Sequence, residues 1–198
     1  MNLFQIVKKA TGKFNLPIPK IVVANTIIPN AAASGSSPGL GTILVTTGIM
    51  TQLEEDELLS VIGHEFSHLK AHDPLVLFSL SSAEYLLRYY VFWPYLFFFG
   101  FYSYWLYFTV SIGLIYFFGK FLEGRTDLDS AKVIGQPKVM AEALRKIAFK
   151  RLFPLYKREP NFRGYRRFEW LQFDPHPPAY FRIAQLERLK KPDKIKNT

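Results

Sequence analysis

The feature that most constrains this sequence is a stretch without any charged side chain, residues 89–119. It belongs to an aromatic-rich segment, residues 74–119, that holds more than half of the chain's Phe, Tyr and Trp residues. Because about 20 apolar residues span the roughly 30 Å hydrocarbon layer of a bilayer, this segment predicts membrane contact. The alternative is a buried aromatic core, although buried helices of soluble domains seldom run so far without a charge. Glu84 and Arg88 are spaced to pair on one face of a helix.

Positive charge is concentrated in the C-terminal part of the chain. The formal net charge is +9, and most Lys and Arg residues follow Gly119. Clustered basic residues beside membrane segments tend to stay in the cytoplasm and are attracted to anionic lipids. We therefore expect a cell-membrane protein with the lipid bilayer as a partner and its charged part facing the cytoplasm. The basic, aromatic stretch 156–168 also suits nucleic acid, but no recognisable nucleic-acid module accompanies it, which disfavours that partner.

The absence of cysteine limits the chemistry open to the chain. With Cys 0 there is no disulfide framework, no thiol nucleophile and no Cys-based zinc or iron–sulfur site. A metal would have to be bound by His, Asp and Glu. The chain has four histidines, and three of them, His64, His68 and His72, lie close together in the sequence. This cluster is the first candidate for a metal site.

Residues 64–68 read H-E-F-S-H, an H-E-x-x-H pattern in a segment with strong helix signals. Thr51 and Glu54 predict a capping box, and the acidic residues that follow favour the start of a helix that carries the motif. Residues four apart lie one above the other on a helix, so His64 and His68 can bind one zinc ion. Glu65 then projects beside the open coordination position as a general base. A chance match of this short pattern is the alternative.

A catalytic zinc site needs a third protein ligand, and Glu123 is the best candidate. Glu123 and Asp127 form an acidic pair at helical spacing. Glu123 could bind the metal, while Asp127 could accept the outer N–H of a ligand histidine and fix its orientation. The alternative is an ordinary solvated acidic face. His72 is a competing ligand, but its place at the helix end is more typical of a capping or surface histidine.

The rest of the chain predicts an α+β fold with a minority of strand. Apolar residues at helical spacing over residues 2–13 predict a lead-in helix. Two β-branched runs, residues 21–23 and 43–47, predict strands that pair in a small sheet. The tail, residues 192–198, has the composition of a disordered segment. Further helices are expected toward the C-terminus, at residues 120–133, 137–150 and 178–190.

Five short motifs stand in a characteristic order along the chain. They are N-A-A-A-S-G at 30–35, V-T-T-G-I at 45–49, H-E-F-S-H at 64–68 with Asp73, the stretch 123–127, and H-P-P at 176–178 with Arg182 and Ile183. Together they resemble the HtpX family of membrane zinc endopeptidases, which is related to the prenyl-protein (CAAX) proteases. The resemblance spans about residues 3–190. It implies a mainly helical, zincin-like (gluzincin) peptidase domain with a small β-sheet and an inserted hydrophobic helical hairpin.

The resemblance also implies roles for individual residues. In that family one zinc ion per chain is bound by the two motif histidines and the later glutamate, here His64, His68 and Glu123. Asp127 would orient a ligand histidine. His176 and Arg182 match a C-terminal motif near the active site, where His176 could donate a hydrogen bond to the developing oxyanion. The substrate cleft would be lined by the strand that contains Asn30, Ala31, Ala32 and Ala33.

The activity that the resemblance implies is membrane-associated, zinc-dependent endopeptidase activity in protein quality control. Its substrates would be unfolded proteins and misfolded or damaged membrane proteins. One alternative is a CAAX-type protease for prenylated C-termini, in which the aromatic segment forms a substrate chamber. Another is a non-catalytic membrane scaffold whose zinc is structural, although the intact Glu65 argues against it. The oligomeric state stays open.

A shared metal site restricts the topology of the aromatic segment. Because His68 and Glu123 must meet at one ion, both flanks of residues 74–119 lie on the same side of any bilayer. The segment therefore forms a helical hairpin, with its turn near residues 94–103, or lies in the interface as an anchor.

The same reasoning divides the chain into parts. Residues 1–73 and 120–191 form one peptidase domain, and residues 74–119 are an insertion in it. Proteins of the HtpX type usually carry membrane helices before the catalytic part, and none precedes Lys8. We therefore expect a truncated or naturally short form whose membrane attachment rests on the insertion alone.

Overall fold

The computed structural model of the chain describes residues 2–158 and 169–189. Its first element is helix α1, Leu3–Phe14. The Asn2 side chain caps the start of α1, and Asn15 follows its end in a left-handed conformation. One face of α1 is buried, as the spacing of its apolar residues predicts. The predicted lead-in helix is confirmed.

Three short strands form one sheet in the order β1, β3, β2. They are β1 Lys20–Ala24, β2 Ala31–Ser34 and β3 Thr42–Thr46. The two runs predicted to pair, β1 and β3, do so in parallel, and β2 pairs antiparallel with β3. In the described part of the chain β2 is therefore an edge strand. With seven α-helices around one small sheet in the residues that the structure describes, the α+β class is confirmed.

Two helices follow β3, α2 Thr47–Gln52 and α3 Glu55–Lys70. The predicted capping box is wrong in its residues, because Thr51 lies inside α2. The Thr46 side chain accepts a hydrogen bond from the N–H of Ile49 and caps α2, so a helix starts earlier than expected. Glu54 is the cap residue of α3, and its backbone N–H donates to the Glu57 carboxylate at 2.8 Å.

The main hydrophobic core lies between α1, the sheet and α3. Phe66 on α3 is fully buried and packs against Phe14 of α1, with ring centroids 5.8 Å apart. Residues two positions apart on an α-helix point in nearly opposite directions. Because Phe66 faces this core, His64 and His68 face the other side of α3.

The aromatic segment folds into two helical arms that pack against each other. The first arm consists of α4 Asp73–Leu87, a π-helical stretch Arg88–Phe92 and a 3-10 turn Trp93–Tyr95. The second arm is the start of α5, Leu96–Ile134, which is interrupted at Gly100 by a φ of 74°. The turn thus falls within the expected region. Ring contacts join the arms, such as Phe92 with Tyr107 at 3.8 Å between centroids.

The outer surface of this helical hairpin is apolar. Among the described residues one helix, Gly100–Ile134, is long and apolar enough to cross a membrane. Strongly exposed side chains on the two arms include Phe78, Tyr90, Phe101, Tyr102 and Leu114. Arg88 is instead paired within its own arm, where its Nε donates to Glu84 at 3.1 Å, and its guanidinium lies over the Phe108 ring of the other arm. An apolar exterior with its charges paired inside is consistent with membrane association.

Helix α5 continues without a break past residue 119, so the hairpin and the C-terminal part share one helix. Two further helices are α6 Pro137–Arg158 and α7 Ala179–Arg188, and an apolar cluster around Leu186 and Met140 joins them. Helices are thus present where the sequence predicts them after residue 120. The tail 192–198 and most of the basic stretch 156–168 lie outside the described residues.

Candidate metal centre

The two motif histidines lie one turn apart on the same face of α3. Their Nε2 atoms are 3.1 Å apart, and the rings meet edge to face with centroids at 4.7 Å. Helix α5 crosses α3 closely at Gly63, where a Cβ atom would lie 2.7 Å from Cγ1 of Ile134 and 3.0 Å from the Ser130 hydroxyl. The missing side chain at Gly63 therefore allows α5 to lie beside the histidines.

Glu123, on α5, completes a group of three possible metal ligands. Its Oε2 is 3.2 Å from Nε2 of His64, and its Oε1 is 3.1 Å from Nε2 of His68. All three side chains are largely buried. Within the described part of the chain this is the one His and acidic cluster whose ligand atoms converge so closely. The fold thus brings together the three residues that the sequence singles out as ligands.

The spacing of these atoms fits a tetrahedral zinc ion. Because zinc is bound at about 2.0–2.1 Å, two ligands at the tetrahedral angle lie roughly 3.3 Å apart. The two Nε2 atoms are 3.1 Å apart, and each lies 3.1 or 3.2 Å from a different oxygen of the Glu123 carboxylate, which is close to that value. In addition, Oε2 of Glu123 is buried without a hydrogen-bond donor among the described residues. A metal ion would satisfy this oxygen, which is otherwise costly to bury.

Asp127 lies behind His64, one turn along α5 from Glu123. Its Oδ1 is 3.0 Å from Nδ1 of His64, a short charge contact. Arg182 of α7 holds the same carboxylate, with Nε and Nη2 donating to it at 2.6 and 2.7 Å. The Arg182 guanidinium also lies 3.5 Å from Glu123. Arg182 therefore connects α7 to the candidate site, where the resemblance expects it.

A second carboxylate, Asp73, lies behind His68, although the sequence assigns it no role. Its Oδ2 is 2.9 Å from Nδ1 of His68. Arg125 of α5 donates to both oxygens of Asp73 at 2.6 and 2.7 Å, and the Thr126 hydroxyl donates at 3.3 Å. Each ligand histidine thus has its own Asp and Arg behind it. The signal in the sequence is Asp73 itself, which follows His68 closely, and the structure places it at the start of α4.

Buried carboxylates change the acidity of the two histidines. Burial alone lowers the pKa of His64, but Glu123 and Asp127 outweigh this effect and raise the pKa to about 10. Burial also lowers the pKa of His68, yet hydrogen bonds to Asp73 and Glu123 raise it overall. Because zinc binds neutral imidazole, the metal-free site holds protons that a metal ion would displace.

Glu65 and His176, the two predicted catalytic residues, lie next to this centre. Glu65 is buried on α3 beside His64. His176 lies at the rim of the site, where its Nε2 is 3.8 Å from Oε1 of Glu123 and its Nδ1 is 2.9 Å from Asp174. The structure thus places His176 at the rim of the candidate centre and Glu65 on the motif helix, directly after His64 in the chain.

His72, the competing ligand, lies outside the cluster. It is exposed and precedes α4, and its Nδ1 is 3.2 Å from the carbonyl oxygen of Ser36. This placement agrees with the interpretation as a surface histidine at a helix end.

The strand expected to line the substrate cleft is β2, with Asn30 directly before it. The backbone N–H of Thr46 donates to the Asn30 carbonyl at 3.0 Å. Because hydrogen-bonded pairs alternate along an antiparallel ladder, Ala32 also points its backbone N–H and C=O toward β3. The backbone groups of Ala31 and Ala33 therefore point outward from the sheet. Strand β2 also lies against α3, which brings this edge close to the motif helix.

Comparison with known proteins gives a match over nearly the whole chain. Residues 1–190 match the model of one family, described as Peptidase family M48. The chain belongs to peptidase family M48. Since this family is zinc-dependent in general, the His64, His68 and Glu123 group of this M48 chain is a possible zinc site.

Curated relatives of this M48 chain carry the name Protease HtpX homolog. The chain is 33% identical over 166 residues to the one from Methanothermobacter thermautotrophicus, which covers 80% of this chain and 63% of that protein. It is 32% identical to Protease HtpX homolog 2 of Methanosarcina acetivorans, with 89% and 68% covered. The match to the Pyrococcus abyssi homolog is 31% identical, with 94% and 73% covered. The HtpX-like resemblance is confirmed, and the chain spans roughly two thirds of the length of these relatives.

Proposed function

We propose that this M48 chain is a zinc-dependent endopeptidase of the gluzincin type, with one zinc ion per chain. The observation that carries the proposal is the convergence of His64, His68 and Glu123, whose ligand atoms lie 3.1 and 3.2 Å apart. These three residues would bind the ion. Three protein ligands with one open position are typical of catalytic zinc sites, whereas structural sites have four protein ligands.

Glu65 is the general base and then the general acid of the reaction. A zinc ion held by His64, His68 and Glu123 would supply Lewis acidity, which would polarise the scissile carbonyl and lower the pKa of water. The Glu65 carboxylate takes a proton from the attacking water as its oxygen bonds to the carbonyl carbon. The same carboxyl group delivers that proton to the leaving nitrogen as the C–N bond breaks. One water is consumed, and Glu65 returns to its starting state.

His176 stabilises the negative charge that develops on the carbonyl oxygen. Asp174 binds its Nδ1 at 2.9 Å, which leaves Nε2 directed toward the site, 3.8 Å from Oε1 of Glu123. When the ring carries both protons, Nε2 can donate a hydrogen bond to the oxyanion. Arg182 acts indirectly, because it binds the Asp127 carboxylate that lies behind His64.

The substrate binds as an added strand along β2. The outward backbone groups of Ala31 and Ala33 would pair with an extended peptide, and Asn30 and Ala32 complete this edge. Binding through main-chain hydrogen bonds depends little on side-chain sequence. It therefore suits unfolded segments, including those of misfolded or damaged proteins, and a role in quality control.

The helical hairpin anchors the enzyme in the cell membrane. The hairpin begins and ends next to the metal centre, since Asp73 starts α4 and Glu123 lies on α5. The hairpin therefore crosses the bilayer twice and leaves the catalytic part on one side. The positive charge of the chain favours the cytoplasmic side. Membrane proteins with unfolded cytoplasmic segments would be natural substrates.

The test is proteolysis of casein by detergent-purified protein that is stripped of metal and then restored with zinc. Glu65→Gln should bind zinc as wild type does but cleave at least about 100-fold more slowly, because it lacks the base. The matched control is Glu55→Gln, an exposed residue on the first turn of α3, which should cleave normally.

Near-normal cleavage by Glu65→Gln would refute the general-base role. Cleavage of prenylated peptides in strong preference to casein would replace the proposed substrate class with lipid-modified C-termini. Zinc binding without cleavage of either substrate would contradict the enzymatic proposal and fit a scaffold.

A further inference from the structure

Lys120 is a buried lysine that the proposed chemistry does not use. It lies on α5, close to one turn before Glu123, and is 3% exposed. Its ammonium donates to the carbonyl oxygens of Trp170 and Gln172 at 2.7 and 2.8 Å. The Asp174 carboxylate also attracts it electrostatically. An ammonium group is costly to bury without such partners, so its position is specific rather than incidental.

The backbone that Lys120 binds belongs to residues 169–176, here called the rim segment, which ends at His176. A second contact holds this segment against α5. A Cβ atom at Gly119 would lie 3.3 Å from Cβ of Pro175, so the absence of a side chain lets the segment approach the helix. The two contacts are adjacent on α5 and direct the rim segment toward the metal centre.

The position of His176 depends on the rim segment. Its backbone N–H and its Nδ1 both lie 2.9 Å from Oδ1 of Asp174, inside the same segment. Its side chain is 45% exposed, so packing alone does not fix the ring. The distance of 3.8 Å between Nε2 and Glu123 therefore depends on where the segment is attached to α5.

We propose that Lys120 is a positioning residue, which fixes the rim segment on α5 and thereby places His176 Nε2 beside the metal centre. The proposal rests on the proposed function where it assigns His176 to the oxyanion. It differs from a simple membrane-boundary role for this lysine, because a boundary lysine extends its ammonium toward water and headgroups. Here the ammonium points to backbone carbonyls inside the protein.

The test compares Lys120→Met, Lys120→Arg and His176→Ala, singly and in combination, in the zinc-loaded full chain. Lys120→Met should lower kcat by about 10- to 100-fold, because the oxyanion donor is displaced. KM and zinc affinity should stay near wild type, since β2 and the ligand set are untouched. Lys120→Arg should restore most of kcat. The matched control is Lys132→Met, an exposed lysine on the same helix, which should cleave normally.

The combined variant separates positioning from general structural damage. Lys120→Met should add little to the loss caused by His176→Ala, because both changes remove the same donor. Fully additive losses, or a loss of zinc affinity as large as the loss of kcat, would overturn the proposal. If Lys120→Met fails to fold, Lys120→Gln retains one neutral donor and should give an intermediate loss of kcat.

A readout independent of activity distinguishes this proposal from the proposed function. Hydrogen exchange followed by mass spectrometry should show faster exchange in the rim segment of Lys120→Met but not of Lys132→Met. If wild type cleaves no substrate, the proposed function fails, and the exchange data still decide whether Lys120 fixes the rim segment. Unchanged exchange there would overturn the positioning role.

Discussion

Replacing Asp73 with asparagine should weaken zinc binding without unfolding the protein. Its Oδ2 lies 2.9 Å from Nδ1 of His68, and the side chain is only 4% exposed. Asparagine has nearly the same shape and keeps an oxygen for Arg125, but it lacks the negative charge. His68 would therefore lose the charged acceptor that orients its ring and makes it a better metal ligand.

The size of the effect follows from the contacts that are lost. A hydrogen bond to a charged group contributes about 1.5–3 kcal/mol, and here one such bond to His68 is weakened. At about 1.4 kcal/mol per tenfold change in affinity, zinc should bind roughly 10- to 100-fold more weakly. The loss should not be larger, because Asp127 still faces His64 at 3.0 Å.

The measurement is a competition titration of zinc against a chromophoric chelator, with circular dichroism to confirm that each variant is folded. Asp129→Asn is the matched control, because Asp129 lies on α5 but is half exposed and pairs only loosely with Lys132 at 3.7 Å. Its zinc affinity should equal that of wild type. An affinity for Asp73→Asn within twofold of wild type would refute the orienting role of Asp73.

Further predictions concern protons and the edge strand. Zinc binding at pH 7 should release about one proton from His64, because the pKa of His64 is raised from 6.5 to about 10 without metal. Calorimetry in buffers of different ionisation enthalpy counts the released protons. A binding enthalpy that does not depend on the buffer would contradict this prediction. In the metal-free protein, protonated His64 should contribute its full share to the free energy of unfolding below about pH 6.5. This contribution should be lost as the pH rises toward 10, so the midpoint of thermal unfolding should fall over that range. Ala33→Pro should raise KM for peptides by roughly fivefold, the value of one hydrogen bond, while kcat stays normal. Ala32→Pro should instead lower the thermal midpoint, since its N–H faces β3; equal effects of both variants on KM would argue against binding along β2.

Local patterns in the sequence account for much of the site. The spacing of His64 and His68 places two imidazoles on one helical face wherever that helix packs, because helix periodicity is a property of the backbone. The apolar character of residues 74–119 follows from composition in the same way. The acidic partner of Glu123 and the family resemblance predict it as the third ligand, and the fold brings it to the histidines.

Only the tertiary structure decides which side chains meet behind these ligands. Asp73, Arg125 and His68 come from three elements, and their contact depends on the crossing of α3 and α5 at Gly63. Nothing local in the sequence specifies that crossing. The backbone groups of Ala33 point outward because of strand pairing between distant residues. The burial of Lys120 under the rim segment likewise depends on contacts between distant residues. Local patterns thus determined the pair of motif histidines and the apolar segment, whereas long-range packing determined which side chains meet the histidines and hold them in place.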